Sequence, residues 1–183
     1  MSFRYEIRLS GAGGQGLILV GKVLAEAAAI YDGKNATQSQ SYGPEARGGA
    51  SRSEVIISDE DIDYPKAVNL DFLLALTQES CDKYWKDLKD NGILLVDSDY
   101  VKNIPKGKFK VYGLPITKIA SEKIGKTLVA NIIALGVFIE LTKVISYEAV
   151  ESAILARVPK GTEELNLKAF RMGLEEARKI LNK

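Results

Sequence analysis

Two stretches of this chain have the residue types and spacing of a binding site. Gly11-Ala12-Gly13-Gly14-Gln15-Gly16 stands between a strand-like run and a helix-like one, with glycines spaced as GxGxxG. Such spacing permits a tight turn and lets the backbone approach a phosphate at a helix N-terminus. Gly14 and Gln15 add an N–H-rich concavity suited to an anion or to a partner's backbone. The second stretch is "SYGPEARGGAS", Ser41 to Ser51. Gly43-Pro44 signals a turn, and Gly48-Gly49 lets the chain pass close to another surface. Glu45 and Arg47 can pair with each other, or Arg47 can take a phosphate or carboxylate bidentately. Tyr42 offers a flat apolar face with one hydroxyl, and Arg52 adds a second cation. Each stretch also has a plainer reading: glycines that let helix and strand pack, and a turn carrying a surface ion pair.

The absences narrow the chemistry. A dinucleotide site also needs an acidic residue at the end of the second strand, about 20 residues on, to hold the ribose. That region reads "NATQSQS", and Asp32 precedes it, so NAD loses its second support. There is no histidine, and Cys81 is the single cysteine. Zinc, Fe–S and haem sites need several such ligands, and a Ser-His-Asp or Cys-His system lacks its base. Cys81 reads as a half-buried structural thiol at a helix start. Asp97 and Asp99 read as a strand end and turn rather than a metal site, and Asn131, inside an apolar helix, as an amide that caps nearby backbone. No catalytic residue and no metal ligand is assigned, so any redox centre belongs to another chain.

Positioning the two stretches requires an α/β framework. Arg4 to Ser10 alternates polar and apolar residues, and "LILVGKVLAEAAAIY" makes a helix of about four turns. Strand, glycine turn and helix together open a βαβ unit. Asn35–Ser41 and Ala50–Ser58 are strand candidates flanking the second stretch. "DFLLALT" and "ILLVDS" are buried parallel strands, with a helix from Glu79 to about Asp90 between them, its Trp85 and Leu88 pointing inward and Asn91-Gly92 ending it. "KFKVYGL" is a further strand, Pro115 opens a short helix, and the chain from Thr127 onward is helical. The expectation is one domain over 1–183: a Rossmann-like α/β fold, a mostly parallel sheet with helices on both faces and a helical C-terminal part.

Composition agrees with an ordinary soluble domain. The 183 residues are 46% hydrophobic and 27% charged, and 25 Lys and Arg balance 24 Asp and Glu for a net charge of +1. That balance gives no footprint for nucleic acid or an anionic membrane. No apolar run reaches the roughly 18 residues that span a bilayer. The N-terminus reads as the first strand rather than a signal core, which points to the cytoplasm.

"GAGGQG", then "QSYGPEARGGASRSEVIISDEDIDYP", resemble the gamma subunit of 2-oxoacid:ferredoxin (acceptor) oxidoreductases, and within it the 2-oxoglutarate branch. "TLVANIIALGVFIELT" and "NLKAFRMGLEEA" are similar to later helices of that family. The resemblance implies a subunit of an enzyme that oxidatively decarboxylates a 2-oxoacid, transfers the acyl group to coenzyme A and passes electrons to ferredoxin. It implies alpha and beta partners and a ferredoxin-like delta subunit, with thiamine diphosphate, Mg2+, Fe–S clusters and coenzyme A in the holo-complex and none bound by this chain alone. Gly11, Gly13, Gly14, Gln15, Gly16, Tyr42, Gly43, Pro44, Glu45, Arg47, Gly48 and Gly49 would then face coenzyme A or dock a subunit. Pyruvate or branched-chain 2-oxoacids, a free-standing nucleotide-binding protein and a ligand-free assembly module are the alternatives.

Overall fold

The computed structural model describes residues 2–41 and 50–183. Six strands form one sheet in the order β2-β3-β1-β4-β5-β6: β1 Arg4–Ala12, β2 Asn35–Ser41, β3 Ala50–Ser58, β4 Leu70–Ala75, β5 Leu88–Asp97 and β6 Lys110–Leu114. β1, β4, β5 and β6 are mutually parallel; the apolar runs of β4 and β5 suit buried parallel strands, while β6 is a mostly exposed edge. β3 runs antiparallel to both of its neighbours. The strand after α1 therefore does not complete a simple βαβ unit beside β1; β3 is inserted between them. The reason is the connection: residues 42–49 are too few for a crossover, so β3 must fold back on β2 as a hairpin.

Residue alternation along the strands divides the core between the two faces of the sheet. Ile7, Leu9, Val55, Phe72 and Leu74 face α1 (Leu17–Glu26), α4 (Ala130–Thr142), α5 (Tyr147–Arg157) and α6 (Glu163–Leu181), and form the larger core. Phe72 meets Phe138 of α4 edge-on, with ring centroids 4.6 Å apart. Ile56, Leu73, Leu94 and Val96 face the other way, toward Cys81 and Tyr84 of α2 (Gln78–Tyr84), in a smaller cluster. Helices thus cover both faces, unequally. α4 has no solvated polar face because it is buried on nearly every side, between the sheet and α6; its Asn131 and Glu140 are buried with polar partners.

The expected helix to Asp90 stops at Tyr84. A single tight turn, Trp85–Asp87, follows, and Leu88 already pairs with Leu70 as strand. Asn91, at φ 67, lies inside β5 at a register shift rather than at a helix end. Trp85 and Leu88 are half-buried against the smaller core. Pairing with β4 and the Asn91 N–H donated to the Lys108 carbonyl (2.8 Å) outweigh the local helical preference. Asp97 behaves as a strand-end acid: fully buried, it accepts from the Thr117 N–H at 2.9 Å and hydroxyl at 2.7 Å, fixing α3 (Ile116–Ile119) to the end of β5. Among the described residues no helix is long and apolar enough to cross a membrane.

Candidate functional site

The glycine turn joins the carboxyl end of β1 to α1. Gly14 at φ 86 and Gly16 at φ 74 occupy the left-handed region, where a side chain is strained. Gly16 takes the cap position of α1 and offers no side chain, and the first turn of the helix carries no acid. The N–H groups of that turn therefore have no partner within the helix, and the positive end of its dipole stays uncompensated. A cavity of about 350 Å³ lies against them, lined by residues 12–18 with Ser41, Ala50 and Ser51.

Two side chains hold the turn in shape. The Gln15 Oε1 accepts from the Ala12 N–H at 2.6 Å, folding the amide back over the turn. Asn131 at the start of α4 donates from Nδ2 to the Gly16 carbonyl at 3.0 Å, while its Oδ1 accepts from the Ile132 N–H at 2.9 Å. The amide expected to cap nearby backbone caps its own helix and clasps the glycine turn as well. A second cavity, about 260 Å³, sits on the far side of Gly14 and Gln15, between Leu76, Thr117, Leu128 and Asn131.

The residues expected at the site divide in two. Gly11, Gly13, Gly14, Gln15 and Gly16 come together at the carboxyl edge of the sheet, and all but Gly11 line the first cavity. Tyr42, Gly43, Pro44, Glu45, Arg47, Gly48 and Gly49 lie outside the described residues. Their two flanks are described: Ser41 and Ala50 both line the first cavity, and Ala50 pairs with Ala12 at the end of β1. Asp32 stands at the opposite end of β2 and pairs with Lys34 at 2.5 Å, away from the cavity.

One cluster had no counterpart in the sequence reading. On the smaller-core face Arg8 is buried and hydrogen-bonds Asp87, Glu54 (3.2 Å) and the Ala67 carbonyl (3.0 Å). Its guanidinium lies 4.9 Å from the centre of the Tyr84 ring, and that of Arg52 lies 5.6 Å from the same ring. The only available signal was a charge at an inward position of β1, which strand alternation alone presents as a solvated face. Cys81 is fully buried beside this cluster; burial, then the Asp82 charge, push its thiol up to about 11. It is a structural thiol, more deeply placed than expected.

Comparison with known proteins places this geometry. The family model described as pyruvate ferredoxin/flavodoxin oxidoreductase matches residues 6–176. The 2-oxoglutarate synthase subunit KorC of Methanocaldococcus jannaschii is 54% identical, over 98% of this chain and 97% of its own. Among solved structures, the gamma subunit of a keto/oxoacid ferredoxin oxidoreductase from Geobacter sulfurreducens superposes with a TM-score of 0.90 at 58% identity, covering 97% of this chain and 98% of that one. The 2-oxoglutarate:ferredoxin oxidoreductase of Magnetococcus marinus, solved with 2-oxoglutarate, coenzyme A and succinyl-CoA, shares the fold: TM-score 0.83 at 22% identity, over 96% of this chain and 31% of that one.

Proposed function

The chain belongs to the pyruvate ferredoxin/flavodoxin oxidoreductase family, and from that premise we propose that it is the gamma-type subunit of a 2-oxoglutarate synthase. The complex oxidatively decarboxylates 2-oxoglutarate, transfers the acyl group to coenzyme A and passes the electrons to ferredoxin. Full-length likeness to a KorC subunit favours 2-oxoglutarate over pyruvate or branched-chain acids. Thiamine diphosphate with Mg2+ and the Fe–S clusters supply the decarboxylation and electron transfer from the alpha, beta and delta partners, in the cytoplasm. The whole of 1–183 acts as one domain.

The chain's own contribution is binding and orientation. The observation that carries this is the first cavity: uncapped α1 N–H groups form one wall, and Ser41 and Ala50, which flank residues 42–49 in sequence, lie on its rim. An anion fits there, because the helix dipole and free donors favour negative charge. A phosphate of coenzyme A is the anion the reaction brings. Arg47, between those flanks in sequence, would add a bidentate cation, and the remaining loop residues would face coenzyme A or the alpha subunit. A free-standing NAD enzyme is disfavoured by Asp32, which is tied to Lys34 at the far end of β2.

The test uses the reconstituted complex with 2-oxoglutarate, pyruvate and a branched-chain 2-oxoacid. 2-Oxoglutarate is expected to give the highest kcat/KM. Arg47→Ala is expected to raise the coenzyme A KM or weaken co-purification, with the thermal transition of the isolated chain unchanged. An unmoved KM together with intact association would sink the reading of the loop.

A further inference from the structure

The sheet face that carries the smaller core also holds a cavity of about 520 Å³, lined by Arg8, Ser39, Ser41, Arg52, Glu54 and Lys66 among others. Its size is ordinary for a small-ligand site, which runs from about 300 to 1,000 Å³. Strand register assembles it. Glu54 stands opposite Arg8 of β1 and Ser39 of β2, and Arg52 stands opposite Ser41, so alternation puts all five on one face. Ser41 alone is shared with the cavity at the glycine turn.

The two arginines are served differently. Arg8 has its terminal nitrogens taken up by Asp87, Glu54 and the Ala67 carbonyl. Arg52 has no such set. Its Nε is buried and donates to nothing, with Glu54 Oε1 at 3.5 Å but no hydrogen bond formed. Its terminal nitrogens make no hydrogen bond among the described residues. The head is nonetheless held: it lies 5.6 Å from the centre of the Tyr84 ring, and the side chain is 34% exposed. A guanidinium presents five donors in a planar fork, and a shielded one with none engaged is costly until an acceptor meets it. Lys66, on the same cavity, pairs with no acid among the described residues.

Charge says which acceptor fits. Arg8, Arg52 and Lys66 are opposed by Glu54 and Asp87, which leaves one positive charge in excess. One carboxylate neutralises it, and its two oxygens match the guanidinium fork, whereas a phosphate dianion overshoots. The hydroxyls of Ser39 and Ser41 stand on the same wall as further donors. We propose that this cavity is a carboxylate receptor, with Arg52 as its fork and Tyr84 and Glu54 holding the fork in place. It is independent of the coenzyme A reading.

A free small acid and an acidic side chain of a partner subunit present the same group, and two arms of one experiment tell them apart. In the first, acetate and succinate are titrated calorimetrically into the full-length chain, against chloride and phosphate at equal ionic strength. A free acid as the source gives saturable binding of the carboxylates alone, weakened about tenfold or more in Arg52→Gln. In the second, the same variant is co-purified with the other subunits of the complex. A partner's side chain as the source gives an association about tenfold weaker in Arg52→Gln and partly recovered in Arg52→Lys, which keeps the charge and loses the fork. Both variants are expected to melt with the wild type, since Arg52 makes no hydrogen bond for them to break, and the melts separate lost binding from lost folding. Equal binding of phosphate or chloride would overturn the receptor. So would an Arg52→Gln chain that matches wild type in both arms.

Discussion

The side-chain amide of Asn131 donates to the carbonyl of Gly16, 115 residues earlier in the chain, at 3.0 Å. This one bond ties the cap of α1 to the start of α4, so the glycine turn is braced by a helix that belongs to a distant part of the sequence.

Asn131→Ala is expected to destabilise the chain by about 1–3 kcal/mol, since it removes the donor to a part-buried carbonyl and the acceptor for the Ile132 N–H together. Gly16→Ala should do comparable harm for two reasons: φ is 74, and the new Cβ would stand 2.4 Å from Asn131 Nδ2. Denaturant unfolding of both variants measures this. Wild-type stability in Asn131→Ala would show that the brace is dispensable.

α4 and α6 touch through their backbones at Gly136 and Gly173. A Cβ on Gly136 would lie 2.2 Å from the Phe170 carbonyl oxygen, and one on Gly173 2.1 Å from that of Ile133. Neither obstacle is the free end of a side chain, so the helices must separate. Gly136→Ala should cost about 3 kcal/mol, at the severe end of overpacking, despite its better helix propensity. A melting temperature equal to wild type would contradict this contact.

Arg8 joins Glu54 and Asp87 beneath the Tyr84 ring. Arg8→Ala leaves Glu54 buried with its main partner gone, and a loss of about 3–5 kcal/mol is expected. The double variant Arg8→Met/Glu54→Gln should recover much of it, because the uncompensated charge is gone and the volume is retained. A double variant as unstable as the single one would mean that the guanidinium stack itself, not charge balance, dominates.

Burial first, and the Asp82 charge second, hold the Cys81 thiol protonated up to about 11, above its ordinary 9.0. At pH 8 the native thiolate fraction is about one in a thousand, so Ellman's reagent should react slowly with the folded chain and fully in guanidinium. A folded pKa above the unfolded one contributes stability that is complete below the unfolded value and is lost as pH rises through the folded one. Tyr5, raised chiefly by burial and then by Asp71, works in the same direction. Stability should therefore fall between about pH 9 and 11, and Cys81→Ser should lessen that slope. An unaltered slope would exclude the thiol as a source.

What was legible in the sequence was what short-range pattern controls. β2 and β3 begin and end where composition places them, Asn35–Ser41 and Ala50–Ser58, because turn residues bound each run. The glycine turn was legible from its spacing. The end of α2 was not, since the mixed run Trp85–Asp90 suits either helix or strand until Leu88 meets Leu70. The antiparallel course of β3 is implicit in the short length of residues 42–49, but the strand–glycine turn–helix pattern points instead to a βαβ unit. Asn131's second bond and the Arg8 stack depend on partners far apart in the chain, and no local period encodes them.

The inserted hairpin also bears on the order in which the molecule is made. β2 and β3 are near neighbours in sequence and can pair early, whereas β1 must wait for β4 to close a far longer loop before its other edge is satisfied. Ala12 pairs with Ala50 of β3, so the wall that Ala12 and Gly13 give the first cavity forms only when β1 joins the hairpin. The cavity is thus made by strands from two separate stretches of the chain, and an isolated hairpin has only one side of it.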